Sequence, residues 1–352
     1  MNRLDKTIAA ISPHDTASRA AARARLEQLT MPHWAMGRLM DLAEDLAGMT
    51  GSVHPPVTRK TIVTMAGDHG VAASGVSAYP QEVTVQMVGN FVNGGAGVNV
   101  LARLAGARVV VVDMGVAGDL SALAAAGKII SKRVAPGTAN LATGPAMTHE
   151  QAIQAVGAGI EVARELAEST DLFGTGEMGI GNTTPSSAIV AVLTGESVAT
   201  VTGRGTGIQD EQLAHKIAVI EEALRVNQPD AADGLDVLAK VGGFEIAGIA
   251  GLILGAAAAR KPVLVDGFIS TAGALVAQAL CPQSVDYMIA AHQSVEQGHR
   301  VALEKLGKLP MLDLNLRLGE GTGAALAMHH VEAAVRILTE VATFAEASVS
   351  AA

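Results

Sequence analysis

Two carboxylates in this chain sit in unusual company. Glu177 lies within residues 174–185, where Gly174, Gly176, Gly179 and Gly181 fall inside eight positions and run into Asn182, Thr183, Thr184 and Pro185. Glu320 lies between Gly319 and Gly321, just before an apolar run. Glycine admits left-handed backbone and lets a ligand come close to the main chain. Asn and Thr before an apolar run, with an early Pro, are helix-start signals. A glycine loop feeding a helix N-terminus offers free N–H groups and the positive end of the helix dipole, which suits an anion. Residues 174–185 therefore read as a phosphate cradle with a carboxylate inside it. A carboxylate at a helix start can be a simple cap. Three glycines in five residues around Glu320 cost more conformational entropy than a cap requires, so Glu320 also reads as a site residue.

Other chemistries fit less well. Gly174-x-Gly176-x-x-Gly179 matches the dinucleotide fingerprint in form, and Glu196 falls at the acidic spacing. That fingerprint belongs in the first strand–helix unit of its domain, whereas this one is mid-chain. Glu177 would also repel a pyrophosphate. No Walker-type run and no His-x-x-x-His or Cys-x-x-Cys occurs, so no metal site is expected. The lone Cys281 cannot form an intrachain disulfide and reads as a packing thiol in a reducing cytoplasm. A formal net charge of −9 and 2% aromatic residues argue against a nucleic-acid partner. The N-terminal residues lack a signal-peptide apolar run. The apolar run Ile246–Ala259 is shorter than the roughly 20 residues a membrane span needs, and reads as a buried helix.

These residues need elements to hold them. Short apolar runs at Thr61–Ala66, Arg108–Val112, Asp171–Gly174, Ala199–Thr202, Pro262–Val265 and Tyr287–Ala290 read as strands. Polar residues follow them: Asp68 and His69, Asp113, Glu177, Arg204, Asp266, His292. Helical patterns lie between, at 81–104, 148–169, 209–226 and 321–344. Solid apolar strands are buried on both faces, which predicts an α/β fold with a parallel sheet. Ligands then sit at the carboxyl ends of the strands. Asp68 and His69 read as a hydrogen-bonded site wall or a structural loop. The helical N-terminal segment, ending in a hinge at 51–58, pairs with the last helix. The division expected is 1–54 plus 325–352 as a small helical domain and 55–324 as a large α/β domain.

The motifs together resemble a family. Met65-Ala66-Gly67-Asp68-His69-Gly70, the run from Gly176 to Pro185, Lys240-Val241-Gly242-Gly243-Phe244-Glu245, Val265-Asp266-Gly267-Phe268 and the run from Arg317 to Ala324 are similar to nicotinate-nucleotide–dimethylbenzimidazole phosphoribosyltransferases. The likeness runs in order from about residue 30 to 345. It implies a Rossmann-like parallel sheet flanked by helices, a small helical domain from both chain ends, and a homodimer. It implies transfer of phosphoribose from nicotinate mononucleotide to dimethylbenzimidazole, giving α-ribazole phosphate and nicotinate for the cobalamin lower ligand. By resemblance Glu320 is the catalytic base and Glu177 the second active-site carboxylate. Phosphate and nucleotide contacts fall on Gly176, Gly179, Gly181, Asn182, Thr183, Thr184, Gly203, Gly205, Lys216, Asp266 and His292. The aromatic-base pocket falls on Ser77, Tyr79, Gln86, Met87 and Leu318. Some members carry Ser and Gln where this chain has Tyr79 and Met87, which leaves base selectivity open. No cofactor and no metal are implied.

The residue types suit that chemistry. Nicotinate leaves a pyridinium nucleotide without an added proton. The attacking imidazole has one N–H, and a carboxylate that removes it accelerates attack by about 10²–10⁴-fold. Attack opposite the leaving group inverts the anomeric carbon. Positive charge developing on the ribose suits a nearby carboxylate such as Glu177. Two rivals remain: a binding protein without turnover, and a dinucleotide oxidoreductase.

Overall fold

The computed structural model describes residues 3–205 and 207–350. Its first strand, β1 (Lys60–Gly67), alternates across the sheet. Val63 and Met65 enter one core, Ile62 and Ala66 the other. Every residue of the strand is buried, as a solid apolar run requires. β2 (Ala107–Gly115), β3 (Ile130–Ser131), β4 (Leu172–Met178), β5 (Val263–Val265) and β6 (Met288–Ala290) complete a parallel sheet in the order β3-β2-β1-β4-β5-β6. This is the Rossmann order, whose winding switches between β1 and β4 and opens a crevice there. A second, two-stranded parallel sheet joins β7 (His292–Ser294) to β8 (Leu312–Leu316).

Helices cover both faces. Phe244–Ala258, the apolar run read as a buried helix, packs on His149–Ala167. Glycine permits the close approach, because a Cβ at Gly159 would meet the Gly248 carbonyl and one at Gly251 the Val156 carbonyl. On the other face Thr322–Glu340 lies against β1, β4 and β5 and against the helices Arg38–Thr50 and Gly97–Ala105. The two ends of the chain meet. Thr30 N–H donates to Ala342 O at 3.0 Å and Phe344 N–H to Gln28 O at 2.9 Å. Cys281 is a buried free thiol. Among the described residues no helix is long and apolar enough to cross a membrane.

Two expectations change. Ala199–Thr202 is not a strand; Val198–Val201 is a helical turn, capped by Ser197, which accepts the Thr200 N–H at 3.2 Å. A local cap outweighs the β preference of Val and Thr here. The run at 171–174 does not open into a loop. It continues as β4 through Met178, so Gly174, Gly176 and Glu177 are strand residues. A Cβ at Gly174 would stand 3.1 Å from Ala324 Cβ, and one at Gly176 would strike the Glu320 carbonyl. These glycines make room for the last helix and the turn before it. The dinucleotide fingerprint needs a strand-to-helix turn at its first glycines, and Gly174 and Gly176 lie inside a strand.

Candidate active site

The sheet ends in a cavity of about 470 Å³ beside the carboxyl ends of β4 and β5. Glu177 and Glu320 both line it. Glu320 is held by its backbone. Gly319, Glu320 and Gly321 have φ of +82°, +63° and +103°, and a non-glycine residue in that region is strained by about 1–3 kcal/mol. The surroundings enforce it. Thr64 Oγ1 donates to Glu320 O at 3.1 Å, while Asp266 accepts Gly321 N–H at 3.1 Å and Ala324 N–H at 2.9 Å. The Glu320 Oε2 atom accepts Val98 N–H at 3.0 Å, at the start of the helix Gly97–Ala105. Burial raises its carboxyl above the usual range, against that bond. A carboxylate with a raised proton affinity is the better base.

Glu177 lies near the end of β4 and is buried. Burial pushes its carboxyl up to about 8; a hydrogen bond from Asn182 opposes this, and Asp266 and Glu245 reinforce it. At neutral pH the free enzyme therefore holds Glu177 mostly protonated. Asn182, a helix-start residue by sequence, caps nothing with its side chain; its amide donates to Glu177 Oε2.

The end expected from the sequence to take a phosphate is built from two loops. Ile180, Asn182 and Thr184 N–H groups are already bonded, to Thr84 Oγ1, Gly179 O and Gly181 O. Those N–H groups are not free for an anion, whereas Thr183 and Gly205 line the cavity. Lys216 lies behind them, its Nζ 2.6 Å from Thr183 Oγ1 and 3.4 Å from Gly203 O. Burial brings its ammonium down to about 8, against the pull of Glu296.

Gly179, Tyr79, Met87, Leu318 and His292 also line the cavity. With Val83, Met178, Ile180 and Phe268 they give it a mainly apolar wall, suited to a flat aromatic ring. Gly176, Gly181, Thr184, Gly203, Lys216 and Asp266 do not line it. Gly176 and Asp266 support the Glu320 turn from below, and Thr184 is wholly buried. Ser77 and Gln86 lie outside the lining too. Ser77 Oγ instead accepts the Tyr79 N–H at 3.3 Å, and Gln86 is exposed while Val83 and Met87, one helical turn apart, face the cavity. His292 Nε2 stands 3.7 Å from Asp266 Oδ1.

Asp68, Asp113 and His69 do not line the cavity and make structural bonds near it. Asp68 Oδ2 accepts Ala117 N–H at 2.8 Å and Asp113 Oδ1 accepts Gly115 N–H at 3.0 Å. His69 Nε2 meets Glu245 Oε1 at 2.8 Å with both side chains fully buried.

The chain's relatives point to one family. A family model described as "Phosphoribosyltransferase" matches residues 11–349. The nicotinate-nucleotide–dimethylbenzimidazole phosphoribosyltransferase of Syntrophotalea carbinolica is 67% identical over 350 residues, covering 99% of both chains. The enzyme of that name from Geobacter sulfurreducens is 58% identical, again over 99% of both. A crystal structure of the Thermus thermophilus enzyme of that name superposes with a TM-score of 0.89 at 47% identity, over 96% of this chain and 100% of that one. The chain belongs to the nicotinate-nucleotide–dimethylbenzimidazole phosphoribosyltransferase family.

For a phosphoribosyltransferase the cavity has a residue that sequence reasoning missed. Glu296 lines it beside Gly205, and its local sequence does not set it apart, because just before the helix Gln297–Leu306 it reads as an ordinary helix-start carboxylate. Arg317 and Ser294 also reach the cavity. Arg317 stands in a family motif without an assigned role; its place next to Leu318-Gly319-Glu320 is the available signal.

Proposed function

We propose that this enzyme transfers phosphoribose from nicotinate mononucleotide to dimethylbenzimidazole or a related aromatic base. The products are α-ribazole phosphate and nicotinate, feeding assembly of the cobalamin lower ligand. The observation that carries this is one cavity that joins Thr183 and Gly205, with Lys216 behind them, to an apolar wall, with Glu320 at that wall. Leu318, Tyr79 and Met87 hold the base flat. Glu320 takes the imidazole N–H proton as the other ring nitrogen attacks the anomeric carbon. Nicotinate leaves from the opposite face with the bonding pair, neutralising its pyridinium nitrogen. The anomeric carbon inverts from β to α.

Glu177 changes role along the way. Its neutral form suits the free enzyme. A pyridinium nucleotide beside it favours the ionised form, so the carboxyl loses its proton as the donor binds and then faces the cationic ribosyl centre. Thr183, Gly205 and Lys216 hold the phosphate. A homodimer and a cytoplasmic setting belong to the same reading; light scattering and cell fractionation check them.

Incubation with nicotinate mononucleotide and a panel of benzimidazoles, purines and phenols, with products identified by mass and anomer by NMR, tests the reaction. The α-riboside phosphate of a benzimidazole is the expected product. No release of nicotinate sinks the reading, and a β product sinks the inversion.

A further inference from the structure

The phosphate end of the cavity already holds an anion. Glu296 Oε1 accepts the Gly205 N–H at 3.0 Å. The carboxylate also lies against Gly203, where a Cβ would run into Oε2. Burial raises its carboxyl above the usual range, while Lys216, the Gly205 N–H and Arg317 pull it back toward the ionised form. Yet the group is poorly served. Glu296 is only 9% exposed, and its Oε2 is buried with no hydrogen-bond partner among the described residues. Leaving a buried carboxylate oxygen unpaired is unfavourable. A loop that accommodates a carboxylate only because residue 203 is glycine, with a lysine behind it, is shaped to take an anion. The one it holds fits it incompletely.

We propose that Glu296 is the resident anion of the Gly203–Gly205 loop, and that the donor's phosphate binds by exchanging with it. This rests on the phosphoribosyl-transfer reading. The Gly205 N–H can serve one acceptor well, and two anions sharing the loop would repel each other in a site of low dielectric. The phosphate brings more oxygens and more charge to Thr183, Lys216 and Gly205 than the carboxylate does. The displaced carboxylate gains water for its unpaired oxygen. Glu296 thus sets donor affinity: it lowers the hold on any phosphate ester, product included, and leaves a donor without phosphate unaffected. Its return on product departure keeps the loop from standing empty.

The test compares wild type with Glu296→Gln, an isostere that can still accept from Gly205 but carries no charge. Calorimetry measures binding of nicotinate mononucleotide, inorganic phosphate and nicotinate riboside, the donor lacking its phosphate. The expected result is binding of the mononucleotide and of inorganic phosphate tighter by about tenfold, with riboside affinity unchanged. Unchanged or weaker mononucleotide binding overturns the proposal. Weaker riboside binding also overturns it, since Glu296 would then be holding ribose hydroxyls. Should the glutamine variant fail to fold, Glu296→Asp, which keeps the charge and shortens the reach, serves instead. It must tighten inorganic phosphate binding, because a withdrawn carboxylate competes less; no tightening again overturns the proposal. Should wild type fail to use nicotinate mononucleotide, the reaction reading falls, and the inorganic phosphate arm still decides the exchange.

Discussion

Glu320 and Glu296 line one cavity and are held in opposite ways. Glu320 sits on a backbone with three consecutive positive φ angles, fixed by Thr64, Asp266 and the N–H of Val98. Nothing in that arrangement is exchangeable. Among the described residues Glu296 reaches across to another loop by one hydrogen bond and keeps one oxygen unpaired. The base proposed at Glu320 must be at the right distance in every turnover, which would account for the strain in its backbone. A group that gives way to a ligand needs a weak hold. On the proposed roles the same residue type serves two ends of one site, and the difference lies in what anchors it.

The sharpest way to break this contrast is Glu320→Gln. Turnover should fall by about 10²–10⁴-fold, with nicotinate mononucleotide binding held within a few-fold. Steady-state kcat beside calorimetric affinity reads both. A kcat near wild type removes Glu320 as the base. A large loss of donor affinity means that the turn also shapes the phosphate end, and the two regions are then not separable.

Glu177 gives the next largest effect, in stability. Its folded-state carboxyl is raised from 4.5 to about 8. Well below pH 4.5 both folded and unfolded chains are protonated there, and the residue adds no pH-dependent term. As pH rises from 4.5 to 8 the unfolded carboxyl ionises while the folded one keeps its proton. The unfolded state gains, and the cost to folding grows until it levels off above about 8. Glu177→Gln removes that cost. The variant should melt at a higher temperature than wild type at about pH 8, by the equivalent of a few kcal/mol, with a much smaller difference at about pH 5. Equal differences at the two pH values would mean that Glu177 is ionised in the free enzyme.

The strands and the carboxyl-edge polar residues are legible because burial on both faces writes solid apolar runs. Glu320 is legible because a left-handed backbone leaves glycines beside it. β4 is misread for a related reason. Gly174 and Gly176 are there for the neighbour packed on them, Ala324 and the Glu320 carbonyl, and a strand glycine of that kind looks the same in sequence as a loop glycine. β3, two residues long, and β8, with exposed Asp313 and Asn315, carry too little apolar signal to be seen. Glu296 is invisible because its importance lies in contact with Gly203 and Gly205, far away in sequence. Asn182 is visible as a polar residue before a helix; its bond to Glu177 is not, because either use places Asn at that position.

A matched pair of glycine substitutions makes the finest cut between the two regions. At Gly321, φ is +103°, and a Cβ would lie 2.6 Å from Ile62 Cγ2 and 3.1 Å from Thr175 O. Both the backbone conformation and the core of the sheet resist it, so Gly321→Ala should cost about 2–3 kcal/mol of stability and lower kcat by moving Glu320. At Gly205, φ is +51°, near the left-handed region that other residues visit, and the nearest atom is Thr183 Oγ1 at 2.8 Å. Gly205→Ala should cost about 1 kcal/mol and raise the donor KM, because the Cβ crowds the hydroxyl that faces the phosphate. Thermal melting and a kcat against KM split on both variants separate the cases. If Gly205→Ala lowers kcat as much as Gly321→Ala does, the phosphate loop is positioning the reacting carbon as well as holding the donor. The division between a fixed catalytic turn and an exchangeable anion loop would then be wrong.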